Sequence, residues 1–139
     1  MLIGTCYHNI DDKGRMIFPA KFREDLGMSF IVTPWTNGCL GVFSPAVFQN
    51  MLTRLETQGI SETEDFTRMF CSRAEQVDTD KQGRILIPAQ LRKLAELKRD
   101  VAVIGVKDRV EIWDRERWTQ WMDQRDSDHF GKTLAGTNL

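Results

Sequence analysis

Histidine and cysteine are scarce in this chain, two and three in 139 residues, and they are scattered. His8 and His129 lie far apart, and no His, Cys or carboxylate set has metal-ligand spacing, so neither a metal nor any other cofactor is expected. Cys6, Cys39 and Cys71 are odd in number and match neither a disulfide framework nor a zinc site, which points to a reducing, cytoplasmic setting. Long apolar runs are absent as well. "VAVIGV" (Val101 to Val106) falls far short of the ~20 residues that a bilayer requires, so no membrane span is expected. The start, "MLIGTCYHN", has no basic head and is not expected to be a signal peptide. There is no phosphate-binding glycine loop and no nucleophile elbow. A Cys6–His8 nucleophile pair is set aside, because residues two apart on a strand share a face chiefly for packing. No enzyme is read here. An excess of positive charge is missing too: with a net charge of -1 and a pI of about 6.1, any affinity for nucleic acid must come from local patches.

What the chain does have is a phrase written twice. "DDKGRMIFPAKFR" (Asp11 to Arg23) returns as "DKQGRILIPAQLR" (Asp80 to Arg92), with Asp11/Asp80, Gly14/Gly83, Arg15/Arg84, Pro19/Pro88, Ala20/Ala89 and Arg23/Arg92 identical. The likeness continues downstream. Phe30 to Phe43 and Val101 to Trp113 each read as two strands joined by a turn, at Asn37-Gly38 and Lys107-Asp108. Ser44 and Asp114 then suit helix N-caps, Pro45 suits the first helical position, and Phe43/Phe48 and Trp113/Trp118 stand at hydrophobic-staple spacing.

Val47, Phe48, Met51, Leu52 and Leu55 form an apolar stripe on the first of these helices, which Gly59 is expected to end; Trp118, Trp121 and Met122 do the same on the second. The tryptophans read as staple and core, not as a base-stacking platform. Between the halves, Ser61 and Glu64 at capping-box spacing and Phe66, Met69 and Phe70 on one face predict a connecting helix. The organisation expected is a first half over 1–58, a connecting helix over 59–73, a second half over 74–125 and a weakly ordered tail over 126–139. Each half alone could bury only a marginal core, so the two should share one.

Lys13-Gly14 and Gln82-Gly83 are predicted at the centres of two-residue hairpin turns, placing Asp12 opposite Arg15 and Lys81 opposite Arg84. A guanidinium offers a rigid donor pair suited to guanine O6 and N7 or to phosphate, and a two-stranded ribbon fits the major groove. Asp11 and Asp80 either hold that guanidinium or shape the turn by accepting backbone bonds. On chemistry alone, the alternative that Asp, Gly and Arg only stabilise a surface hairpin is equally open. Arg23 and Arg92, beside Phe22 and Leu91 on a short helix, read as packing or ion-pair residues.

These tandem "DxKGR…P…R" and "DxxGR…P…LR" motifs, with the pattern that follows each, resemble the MraZ family within the AbrB and SpoVT group of bacterial transcription factors, over about residues 1 to 125. The resemblance implies a mixed β/α fold in which two AbrB/SpoVT-like halves form a pseudo-twofold swapped-hairpin β-barrel with flanking helices. It implies a homo-oligomeric ring and binding to double-stranded DNA at short G-rich direct repeats in the promoter of the division and cell-wall gene cluster. That makes the protein a nucleoid-associated regulator, read as a repressor. Arg15 and Arg84 are the implied base contacts, with Lys13, Lys81 and Gln82 as further DNA-binding residues and Asp11, Gly14, Asp80 and Gly83 forming and orienting the turns. Gln82 stands where the first copy has Lys13, so the second hairpin loses the positive charge at that position, and Lys81, where the first copy has Asp12, supplies part of what is missing. Repeated readers would suit repeated boxes, since linked contacts raise affinity by ~10²–10⁴. The competing reading is a non-catalytic ring-forming assembly protein whose hairpins touch protein. An antitoxin-like role fits two motifs and a short polar tail poorly.

Overall fold

The computed structural model describes residues 1–139, except for the side chains of residues 60–62. Eight strands and six helices alternate in the order the repeat predicts. In the N-terminal copy these are β1 (Leu2–Asn9), β2 (Arg15–Ile17), α1 (Ala20–Leu26), β3 (Ser29–Pro34), β4 (Leu40–Phe43) and α2 (Pro45–Glu56). After α3 (Ile60–Arg73) come β5 (Glu75–Asp78), β6 (Arg84–Leu86), α4 (Ala89–Leu94), β7 (Asp100–Lys107), β8 (Arg109–Asp114), α5 (Arg115–Asp123) and α6 (Ser127–Gly136).

The strands pair across the repeat more than within it. One antiparallel sheet runs β1-β7-β8-β4-β3-β5, and β2 pairs with β6 in a separate two-stranded ribbon. Both β1–β7 and β4–β8 join opposite copies. The ribbon's register is symmetrical, with Met16 opposite Ile85 at its centre, flanked by Arg15↔Leu86 and Ile17↔Arg84. The ladder extends to the turn glycines: Phe18 N–H donates to the Gly83 carbonyl and Ile87 N–H to the Gly14 carbonyl, each at 2.9 Å. The two copies are related here by a local pseudo-twofold.

The sheet is open. The expected closed barrel is not what the ladders form, since β1 and β5 are its two edges. The chain leaves each edge strand at a repeated turn, and the strands after the turns bond to each other instead of to β1 and β5.

A single core joins the copies, because neither could bury enough apolar surface by itself. Met16, Phe18, Phe22 and Phe30 from one copy pack with Ile85, Ile87, Leu91 and Ile112 from the other, all at most 2% exposed. A smaller cluster on the other face of the sheet holds Cys39, Ala102, Ile104 and Trp113 against Trp35, Trp118 and Trp121. Within it the buried Glu111 carboxylate accepts from Arg109 Nε and from Trp113 Nε1, each at 2.9 Å, so it is doubly satisfied.

The helix starts follow the sequence. Ser44 Oγ accepts the Val47 N–H at 3.2 Å, and Asp114 Oδ2 accepts that of Arg117 at 3.3 Å. Trp113 and Trp118 meet edge to face at 5.2 Å, as a staple requires. Phe43 packs on Trp35 and Phe48 on Phe70. Gly59 does not end α2; the helix stops at Glu56, and Gly59, at φ −58, precedes α3. The capping contact expected of Ser61 lies outside the described side chains. The stretch read as a weakly ordered tail contains α6, begun by Asp126 accepting the His129 N–H at 2.9 Å.

Candidate nucleic-acid interface

Each repeated turn is a three-residue connection instead of the expected two. In the first, Gly14 N–H donates to the Asp11 carbonyl at 2.9 Å and Asp11 N–H to the Arg15 carbonyl at 2.8 Å. In the second, Gly83 donates to Asp80 at 3.0 Å and Asp80 to Arg84 at 2.9 Å. The central residues are therefore Asp12-Lys13 and Lys81-Gln82, and Gly14 and Gly83 follow them at φ +87 and +79, where a side chain would be strained. Arg15 faces Asp11 and Arg84 faces Asp80, not Asp12 and Lys81 as the shorter turn would have it. The extra residue changes the partner because it shifts the register by one.

The aspartates do both things that their chemistry allows. Asp11 Oδ1 accepts the N–H groups of Lys13 and Arg15, each at 2.9 Å, and its Oδ2 lies 3.5 Å from Arg15 Nε. Asp80 Oδ1 accepts those of Gln82 and Arg84, each at 2.8 Å, and its Oδ2 accepts Arg84 Nε at 3.0 Å. The Arg15 backbone N–H, helped by that of Lys13 and by the guanidinium charges of Arg15 and Arg84, holds the Asp11 carboxyl below the usual aspartate range. Asp80 is lowered in the same way, first by the Arg84 backbone N–H and then by its side chain. One carboxylate per turn thus fixes the loop, and it holds the arginine through a hydrogen bond to Nε in the second turn but only through the longer ion pair in the first, where Arg15 Nε has no hydrogen-bond partner among the described residues.

Strand alternation decides where those arginines point. Met16 and Ile85 face the core, so Arg15, Ile17, Arg84 and Leu86 share the outward face of the ribbon. Arg15 and Arg84 occupy diagonal positions, which in such a ribbon lie about 7–8 Å apart. Among the described residues, the Nη atoms of neither arginine donate a hydrogen bond to protein. The result is a narrow ribbon with two braced guanidiniums whose donor ends are free. Lys13, Lys81 and Gln82 are exposed at the turn tips.

Two features escaped the sequence reading. Ile17 and Leu86, each 52% exposed, complete the ribbon face beside the arginines, and the alternating pattern of the strands was the available signal. Arg23 and Arg92 do pack, but across the repeat. A Cβ at Gly14 would meet the Arg92 guanidinium at 2.9 Å, and one at Gly83 would meet that of Arg23 at 3.2 Å. Arg92 Nε also donates to the Ile87 carbonyl at 3.0 Å. Each turn is thus supported from below by the other copy's second arginine, and each lacks a side chain at the point of contact.

Among the described residues there is no His, Cys, Asp and Glu group able to hold a metal ion, and no helix long and apolar enough to cross a membrane.

Comparison with known proteins agrees with this twofold plan. The family model described as "MraZ protein, putative antitoxin-like" matches twice, over residues 1–73 and 69–136. Similar proteins named "Transcriptional regulator MraZ" occur in Thermoanaerobacter sp. (strain X514), 45% identical over 91% of this chain and 90% of that protein, and in Finegoldia magna, 43% identical over 87% and 86%. A third, from Moorella thermoacetica, is 42% identical over 87% of this chain and 86% of its own length. With two matches to the family model that together span residues 1–136, and with relatives of this similarity, the chain belongs to the MraZ family.

Proposed function

We propose that this protein is a sequence-specific, double-stranded-DNA-binding transcriptional regulator that reads guanine through Arg15 and Arg84. The observation that carries this reading is the ribbon face: one arginine from each copy, each braced by an aspartate, on a two-stranded element of a width that the major groove admits. The names of its relatives support regulation of transcription. Lys13 and Lys81 supply local positive charge that a chain of net charge -1 otherwise lacks, and Gln82 offers a neutral donor and acceptor at the second tip.

In this reading the operator is a set of short G-rich direct repeats before the division and cell-wall genes, and binding represses them. Several copies of the chain form a ring that presents many ribbons to successive repeats, in the cytoplasm and on the nucleoid. The halves at 1–58 and 74–125 act as one unit, joined by the shared open sheet and the exchanged ribbon.

The test is a titration against DNA with three or four G-rich direct repeats and against scrambled DNA, at low and moderate salt. The intact protein should prefer the repeats, and Arg15→Ala with Arg84→Ala should abolish the preference while leaving the oligomer intact. Indifference to sequence, salt and both arginines would instead favour a ring whose ribbons touch protein.

A further inference from the structure

The local twofold of the ribbon is not shared by the charge around it. Segment 88–100, which runs beneath the first turn, carries Arg92, Lys93, Lys98 and Arg99 against Glu96 and Asp100. Its counterpart beneath the second turn, segment 19–29, carries Lys21 and Arg23 against Glu24 and Asp25. Lys93 stands where the other copy has Glu24. The backbone contact at the foot of each turn shows the same replacement: Ile10 N–H donates to the Arg99 carbonyl and Thr79 N–H to that of Met28, each at 2.8 Å. A cation in one copy thus corresponds to an exposed thioether in the other.

These cations border the reader itself. A concavity runs from Ile10, Asp11 and Asp12 at the first turn to Arg92, Lys98 and Arg99, and an adjoining one carries the surface on to Lys93. Of the carboxylates nearby, Asp11 pairs with Arg15 at 3.5 Å and Glu96 with Arg117 at 3.3 Å, while Asp12, at the turn end of the same concavity, has no ion pair among the described residues. Lys98 reaches Glu116 at 3.7 Å, but both side chains are more than two-thirds exposed, so water screens that pair and releasing it costs little. Lys93 and Arg99 have no ion pair among the described residues. At the tips the asymmetry runs the other way, since Asp12 offsets Lys13 whereas Lys81 stands beside the uncharged Gln82.

We propose that Lys93, Lys98 and Arg99 form a phosphate-docking surface beside the first hairpin, so that the two hairpins of one chain hold the DNA backbone differently, the first from its flank and the second from Lys81 at its tip. A ribbon seated in the major groove has a phosphate strand on each lip of a cleft about 12 Å wide, so the surface at the foot of the hairpin is where backbone must pass. Such contacts position the protein and carry no sequence information themselves. The proposal rests on the DNA-binding reading above and adds an unequal division of labour that the sequence repeat alone does not suggest.

The test is the salt dependence of binding by Lys93→Gln, Lys98→Gln, Arg99→Gln in the full-length chain. Each lost phosphate contact should lower the slope of log K against log salt by about 0.9, so the triple variant should lose about 2.7 for each chain that engages the DNA. Affinity should fall by the same factor on repeat and scrambled DNA, leaving the ratio between them unchanged. A control triple with the same charge change elsewhere, Arg54→Gln, Arg68→Gln, Lys132→Gln, should keep the parental slope. An unchanged slope in the first triple, an equal drop in the control, or a changed sequence ratio would each overturn the phosphate surface while leaving base reading by Arg15 and Arg84 in place. Failure of the parent protein to bind any DNA would overturn both.

Discussion

Arg84 Nε donates to Asp80 Oδ2 at 3.0 Å while the Arg84 backbone N–H donates to Oδ1 of the same carboxylate at 2.8 Å. One side chain therefore sets both where the strand begins after the turn and where its guanidinium points. Replacing Asp80 by Ala should loosen the turn and free the arginine together. DNA affinity and sequence preference should both fall, in an electrophoretic titration, further than for Lys81→Ala, which should weaken binding about equally on all sequences. Asp80→Asn should fall between them, keeping an oxygen for the backbone N–H groups but not the charge beside Arg84.

The same carboxylates make the turns sensitive to acid. Both native pKa values lie below the ordinary ~3.9, so the turns gain stability from Asp11 and Asp80 above that value and lose it as pH falls through the lower native values. Backbone amide shifts of Arg15 and Arg84 should stay constant from pH 7 down to about 4 and move below it. Asp11→Asn with Asp80→Asn should remove that movement.

Glycine is required at both turn ends, but not equally. Gly14→Ala and Gly83→Ala each place a Cβ at positive φ, costing about 1–2 kcal/mol from the backbone alone. At Gly14 the new atom also meets Arg92 at 2.9 Å, against 3.2 Å from Arg23 at Gly83. Urea unfolding should show a loss for both and a larger one for Gly14→Ala, with part of the extra loss recovered by Arg92→Ala.

Because β2 finds its partner in β6 and β1 in β7, neither copy should fold alone. A fragment ending at Arg73 should lack the cooperative unfolding transition of the whole chain by circular dichroism. In the intact chain Met16→Ala, at the centre of the shared ribbon, should cost about 2–5 kcal/mol.

Much of this was legible in the residues. Ser44, Asp114 and the Trp113–Trp118 pair mark helix starts through local chemistry, and local chemistry is what a sequence states directly. The repeat of Asp, Gly and Arg located both turns. Strand exchange was not readable from the ribbon itself, since "RMI" and "RIL" have the same alternation whether they pair nearby or across the chain. Turn length failed for a related reason: an x-Gly pair suits both a two-residue turn and a three-residue loop ending in a left-handed glycine, and the backbone bonds decide. Helix α6 was missed although Asp126 supplies its cap, because Phe130 and Leu134 give too short an apolar pattern to register as a period. The cross-copy contacts of Arg23 and Arg92 could have been sought, since an identical residue in both copies of a repeat needs a reason in both.

The central claim is that Arg15 and Arg84 read guanine. It is tested most directly by replacing the repeat guanines with 7-deazaguanine, which removes the N7 acceptor, and measuring affinity for the intact protein and for the Arg15→Ala, Arg84→Ala variant. Each bidentate contact is worth about 1–3 kcal/mol, so the intact protein should lose at least several-fold in affinity and the variant nothing further. Equal losses in both proteins, or none in either, would contradict the account.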